Sequence, residues 1–129
     1  MTTTATRFSY SHNRLQTFLD EKENWDGCGG LPASPDAGKG VLAFLANIEA
    51  AQFEEPSLTM GGDGSIAVTW QCQHTGHYLS ADFCDDKGYT FFVAEGEKFI
   101  CDGYSTNSEI APRLALYLQM GKEAKQTPN

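Results

Sequence analysis

Cys72, His74 and His77 fall within six residues of one another, and Cys84 follows soon after. Cysteine and histidine are the ligands tetrahedral zinc accepts, so this is the first place to look for chemistry. The spacing matches no zinc knuckle and contains no C-x-x-C pair; a polar hairpin turn that carries histidines explains it more simply. A Cys–His or Ser–His nucleophile pair would have to draw on His12, His74 or His77. Neither G-x-S-x-G nor a papain-like cysteine setting surrounds any nucleophile. Asp85 and Asp86 form a carboxylate pair, but on an expected hairpin tip, without the burial a general acid usually needs. Gly27, Gly29 and Gly30 precede a helix start and suggest an anion cradle. No G-x-x-x-x-G-K-[ST] or G-x-G-x-x-G accompanies them, and Asp26 and Asp36 would repel a phosphate there. The expectation is therefore no catalytic residues, no metal and no cofactor. A small metal-dependent or cysteine hydrolase using Cys72, His74 and His77 stands as the alternative.

Charge is more informative. The chain of 129 residues has 17 Asp+Glu against 9 Lys+Arg, a formal net charge of −8 at pH 7. Nucleic acids and anionic membranes repel such a surface, which argues against both as direct partners. The acids gather at Asp20/Glu21/Glu23, Glu54/Glu55, Asp82/Asp85/Asp86 and Glu95/Glu97. Solubility alone accounts for them; the functional reading is complementarity to a basic protein. The N-terminus lacks an apolar signal region, and no run approaches the ~20 apolar residues a membrane span needs. Cys28, Cys72, Cys84 and Cys101 are unevenly spaced and read as free thiols, which points to the cytoplasm.

The elements that must position these groups follow from periodicity. Ser11 caps an expected first helix through Leu15, Phe18 and Leu19. Asn24 to Pro32 is irregular, with Trp25 read as a plug for the helix–sheet core and Asp26 as a cap on the loop backbone. Ser34-Pro35-Asp36 opens a second helix with Ala37, Val41, Phe44, Leu45 and Ile48 on one face. After Pro56 the period changes to two. Strands are expected at 57–61, 66–72, after the turn 73–76, at 89–94 and at 98–102. The second hairpin should pair Trp70 with Leu79, Val68 with Ala81 and Ile66 with Phe83. Adjacent Phe91 and Phe92 put an aromatic on each face of the fourth strand, so one ring is either covered or offered to a partner. Thr106 to Glu109 matches a capping box for a last helix ending near Gly121. The order ααβββββα indicates one α+β domain with an antiparallel five-stranded meander and helices on one face. Residues 1–7 and 122–129 read as loose tails.

Asn24-Trp25-Asp26-Gly27, Gly29-Gly30, Pro32, Ser34 and Ala37, then Gly62-Asp63-Gly64-Ser65-Ile66 and Trp70, resemble small uncharacterised bacterial proteins of mobile-element or phage type. These share an N-W-D-G-x-G loop and a D-G-S-I-x-x-x-W strand, and the likeness covers roughly residues 11 to 84. It implies a fold and carries no catalytic residues. By analogy, small acidic accessory proteins act by binding, as antitoxins, immunity proteins, anti-restriction or anti-CRISPR inhibitors. The expected function is a non-enzymatic inhibitor of a basic, nucleic-acid-handling protein or complex. Its contact residues are expected among Asp82, Asp85, Asp86, Tyr89, Phe91, Phe92, Glu95, Glu97, Trp25 and Asp26. Self-association as a homodimer through an uncovered sheet edge is the remaining alternative.

Overall fold

Apolar side chains that repeat every three to four residues before Pro56 and every two after it build helices first and a sheet second. The computed structural model describes residues 8–126. The order is α1 (Ser9–Asp20), α2 (Pro35–Ala50), β1 (Ser57–Met60), β2 (Ile66–Cys72), β3 (His77–Phe83), β4 (Tyr89–Glu95), β5 (Lys98–Ser105) and α3 (Pro112–Gln126). The five strands pair antiparallel in sequence order, a meander with β1 and β5 at its edges. The fold is α+β, and the β2–β3 register pairs Trp70 with Leu79, Val68 with Ala81 and Ile66 with Phe83, as their apolar alternation requires.

One face of the sheet carries Leu58, Ile66, Val68, Trp70, Leu79, Ala81, Phe83, Tyr89, Phe91 and Val93, all buried. The helices lie on this face. Phe44 of α2 is its centre, with ring centroids 6.2 Å from Trp70, 5.3 Å from Phe83 and 4.9 Å from Tyr89. Two helix glycines mark close approaches. A Cβ on Gly38 would lie 2.9 Å from Leu19 of α1, and one on Gly40 would lie 2.9 Å from the Phe83 ring. α2 starts as its sequence predicts, with the Ala37 N–H donating to Ser34 Oγ at 3.3 Å and Pro35 at the first helical position.

Several expectations fail, each for a local reason. Ser11 does not cap α1; it is buried two residues inside the helix. Its N–H donates to Glu55 Oε2 at 2.8 Å and its hydroxyl to the Pro56 carbonyl at 3.0 Å. A carboxylate from the α2–β1 connection thus satisfies a first-turn donor that no local side chain reaches. The Thr106–Glu109 box does not open α3. Asn107 Oδ1 accepts from the Glu109 N–H within a turn, and the helix begins at Pro112, whose missing N–H costs nothing there. α3 then runs past Gly121 to Gln126, so residues 122–126 are helix and not tail; residues 1–7 and 127–129 lie outside the described part.

β5 also continues beyond Asp102 to Ser105. Gly103 does not stop it, because the Phe91 ring occupies the space its side chain would need, 2.7 Å from a Cβ. An aromatic that covers a cross-strand glycine supplies the missing packing.

Tyr89 and Phe91 are not partner anchors. They are 1% and 6% exposed and belong to the core. The Tyr89 hydroxyl donates to the Glu109 carbonyl at 2.6 Å and accepts from the Ala111 N–H at 2.8 Å. It ties β4 to the segment that leads into α3. Tyr89→Phe removes both bonds and leaves two backbone groups to find water. It is expected to lower stability by about 1–3 kcal/mol in urea unfolding.

Candidate docking face

The face turned away from the helices is built by the opposite parity of the same strands. Three rungs cross it, two from β1 to β5 and one from β2 to β5. One joins Thr59, Ala67, Asp82, Thr90 and Tyr104; the next joins Ser57, Thr69, Ser80, Phe92 and Asp102; the third joins Gln71, Tyr78, Ala94 and Phe99. Over β1 and β2 the face is small and polar. Over β3 to β5 it is aromatic. Tyr78 and Phe92 are half-buried against each other, ring centroids 5.8 Å apart, while Phe99 and Tyr104 are 60% and 62% exposed. A register shift at Val93/Ala94 lets Phe99 pair with Ala94 and Cys101 with Val93. The two residues therefore point to opposite faces, where simple alternation would put them on one.

The acids frame this patch. Asp82 stands on the face and accepts from Ser80 Oγ at 3.2 Å. Asp85 and Asp86 occupy the β3–β4 turn at one end of the sheet. Glu97 is exposed in the β4–β5 turn at the other end. Asp102 lies directly across from Phe92, between Phe99 and Tyr104 along β5. An apolar centre with a charged border is the layout of a protein interface. Of the expected contact residues, Phe92, Asp82, Asp85, Asp86 and Glu97 border or occupy this face, whereas Glu95 stands on a rung of the covered face beside His77. Tyr78, Phe99, Asp102 and Tyr104 were not foreseen.

Trp25 and Asp26 lie elsewhere and do other work. Trp25 is half-buried and does not enter the core; its Nε1 donates to the Leu31 carbonyl at 2.6 Å. Asp26 does cap the loop. Its Oδ1 accepts from the Cys28 N–H at 2.9 Å and the Gly30 N–H at 2.8 Å. Those two bonds, that of Cys28 foremost, hold its carboxyl below the ordinary carboxylate range. Asn24, at φ +66°, accepts from the Gly29 N–H through Oδ1 at 2.7 Å. The loop is then clasped to the β1–β2 turn: Leu31 N–H donates to the Gly62 carbonyl at 2.8 Å and Ser34 N–H to that of Gly64 at 2.9 Å. The two halves of the sequence likeness, N-W-D-G and D-G-S-I, are physically one structure.

No family model, curated protein or solved structure matches the chain. Function must therefore be read from the geometry.

The Cys72–His77 cluster has unexpected order. Cys72, His77, Glu95 and Lys98 form one rung at the end of the covered face, while His74 is exposed in the turn. His77 packs edge-on against Tyr117 of α3 at 4.8 Å and lies 3.9 Å from Glu95 Oε1. Its buried Nδ1 has no hydrogen-bond partner among the described residues, so neither Cys72 nor any other described group engages that nitrogen. Burial, and secondarily the Glu54 carboxylate, pushes the Cys72 thiol up, which keeps it protonated near neutral pH and a weak nucleophile. Among the described residues no three His, Cys, Asp or Glu side chains group to hold a metal ion. No described helix is long and apolar enough to cross a membrane.

Proposed function

We propose that this chain is a non-enzymatic inhibitor that docks a basic, nucleic-acid-handling protein on the helix-free face of its sheet, in the manner of an anti-restriction, anti-CRISPR, antitoxin or immunity protein. One observation carries this: an aromatic patch, with Phe99 and Tyr104 exposed beside the half-buried Tyr78 and Phe92, lies uncovered by any helix between two acidic sheet ends. An uncovered apolar patch with a polar border marks an interaction site. The acids around it would compete with nucleic acid for a partner's basic surface and would steer encounter. The rigid strands keep the aromatic anchors in place, so little ordering is required on binding.

Immobilised chain should capture a basic protein from its native lysate, quantified by mass spectrometry. Capture should fall at least tenfold between 50 and 500 mM salt, since the screening length shrinks from about 14 Å to about 4 Å over that range. The double change Phe99→Ser and Tyr104→Ser should abolish it. Charge reversal at Asp82, Asp85, Asp86 and Glu97 should weaken it. Capture that ignores both the aromatic changes and the charge reversals would dismiss this reading.

A further inference from the structure

The geometry points to a guanidinium-binding slot on the open face, formed by the Asp102 carboxylate and the rings of Phe92, Phe99 and Tyr104, that takes an arginine side chain of the docked protein. The inference rests on the reading of this face as a docking surface and names the group it grips. The slot is a shallow cleft of about 590 Å³ over β4 and β5. Phe92 and Asp102 are direct cross-strand partners, which sets their Cβ atoms about 5 Å apart. Tyr104 stands one rung further on, opposite Thr90, and Phe99 one rung back, opposite Ala94. Three aromatic rings thus surround one carboxylate on a single surface.

Asp102 is exposed, and no hydrogen bond or ion pair engages its carboxylate among the described residues. In a chain of net charge −8 the unoccupied acid favours a cation and rejects an anion. The rings select which cation. Aromatic faces attract positive charge through their quadrupole, and a planar guanidinium can stack on a ring while it forks two N–H donors onto a carboxylate. An ammonium offers no plane to stack and holds its hydration more tightly. Phe99 and Tyr104, little covered by the fold, gain most from a flat apolar-faced ion laid against them. Arginine is also the residue most used by proteins that grip phosphate. An inhibitor that occupies such an arginine denies it to nucleic acid.

The test uses the intact chain and three uncharged-ended pentapeptides, Gly-Gly-X-Gly-Gly, with X arginine, lysine or citrulline. Binding is followed through the backbone amide resonances of Phe92, Phe99, Asp102 and Tyr104. The arginine peptide should shift these amides, the lysine peptide should bind several-fold more weakly, and citrulline, isosteric but neutral, at least tenfold more weakly. Asp102→Asn preserves shape and should weaken the arginine peptide about tenfold. Phe99→Ser, with a native amide spectrum elsewhere, should weaken it several-fold. Glu21→Gln, on the far side of the molecule, makes the same change in net charge and should not alter it. Citrulline binding as well as arginine, lysine binding more tightly than arginine, or an unchanged affinity in Asp102→Asn would overturn the slot. If the arginine peptide leaves these amides unmoved while Phe99 and Tyr104 still govern capture of the partner, the slot is wrong and the docking face stands. If capture is also indifferent to those residues, both fall.

Discussion

Phe44→Ala should cost about 3–5 kcal/mol of stability, the range for a buried Phe truncated in a core that cannot collapse. The site gives little room to relax. Phe44 is fully buried, and its ring is wedged between Trp70 on β2, Phe83 on β3 and Tyr89 on β4. Each of those rings has a second fixed attachment. Trp70 Nε1 donates to the Glu54 carbonyl at 2.8 Å, Tyr89 is held by its two hydroxyl bonds, and Phe83 is pressed against Gly40. The cavity would therefore stay open, and edge-to-face ring contacts would be lost with it. For a chain of this length the melting temperature should drop by roughly 10–20 °C in calorimetry. Phe44→Leu, which refills part of the volume, should recover about half. A loss below about 1.5 kcal/mol for Phe44→Ala would mean that α2 can settle onto the sheet without its central ring.

That ring also shows what periodicity can and cannot reveal. Phe44 sits on the expected apolar face of α2, and the alternation of Ile66, Val68 and Trp70 against Leu79, Ala81 and Phe83 admits one register only, because a slip by one residue would turn every apolar side chain to solvent. Where a boundary depended on remote groups, the pattern misled. α1 takes its terminal acceptor from Glu55, 44 residues away. α3 waits for Pro112 because the Tyr89 hydroxyl fixes the backbone just before it. Gly103 reads as a strand end until the Phe91 ring is seen to cover it.

The candidate docking face is half legible in the sequence for related reasons. Adjacent Phe91 and Phe92 do signal an aromatic on each face, and strict alternation groups Tyr89, Phe91 and Val93 on one side, leaving Phe92 for the other. Grouping Tyr89 and Phe91 with Phe92 as anchors ignored that parity. Phe99 and Tyr104 were hidden by two events on one strand. The register shift at Val93/Ala94 separates Phe99 from Cys101, and the continuation past Gly103 brings Tyr104 onto the sheet. Irregularities concentrated on an edge strand are also what limits its pairing with another sheet, so the features that obscured the patch help keep its edge from aggregating.

The clasp between the N-W-D-G loop and the D-G-S-I turn yields the second large effect: Gly64→Ala should cost about 2–4 kcal/mol. Two penalties combine there. Gly64 sits at φ +87°, where a side chain costs about 1–2 kcal/mol. Its Cβ would also lie 2.8 Å from the Pro32 carbonyl oxygen and 3.5 Å from the Ser34 nitrogen. Those are backbone atoms and cannot swing aside as a side chain could. Relief requires the loop to lift from the turn, which breaks the Ser34–Gly64 and Leu31–Gly62 hydrogen bonds, each worth about 0.5–1.5 kcal/mol net. Ser34 is also the cap of α2, so the disturbance should reach the helix that carries Phe44. Gly96→Ala separates strain from clasp. Gly96 has φ +61° but open space around it, so it should lose only the conformational part, about 1–2 kcal/mol. Hydrogen exchange on Gly64→Ala should show faster exchange at the Leu31, Ser34 and Ala37 amides, with the β3–β5 amides as protected as before once the global loss is subtracted. Equal costs for Gly64→Ala and Gly96→Ala would show that the two motif halves touch without supporting each other.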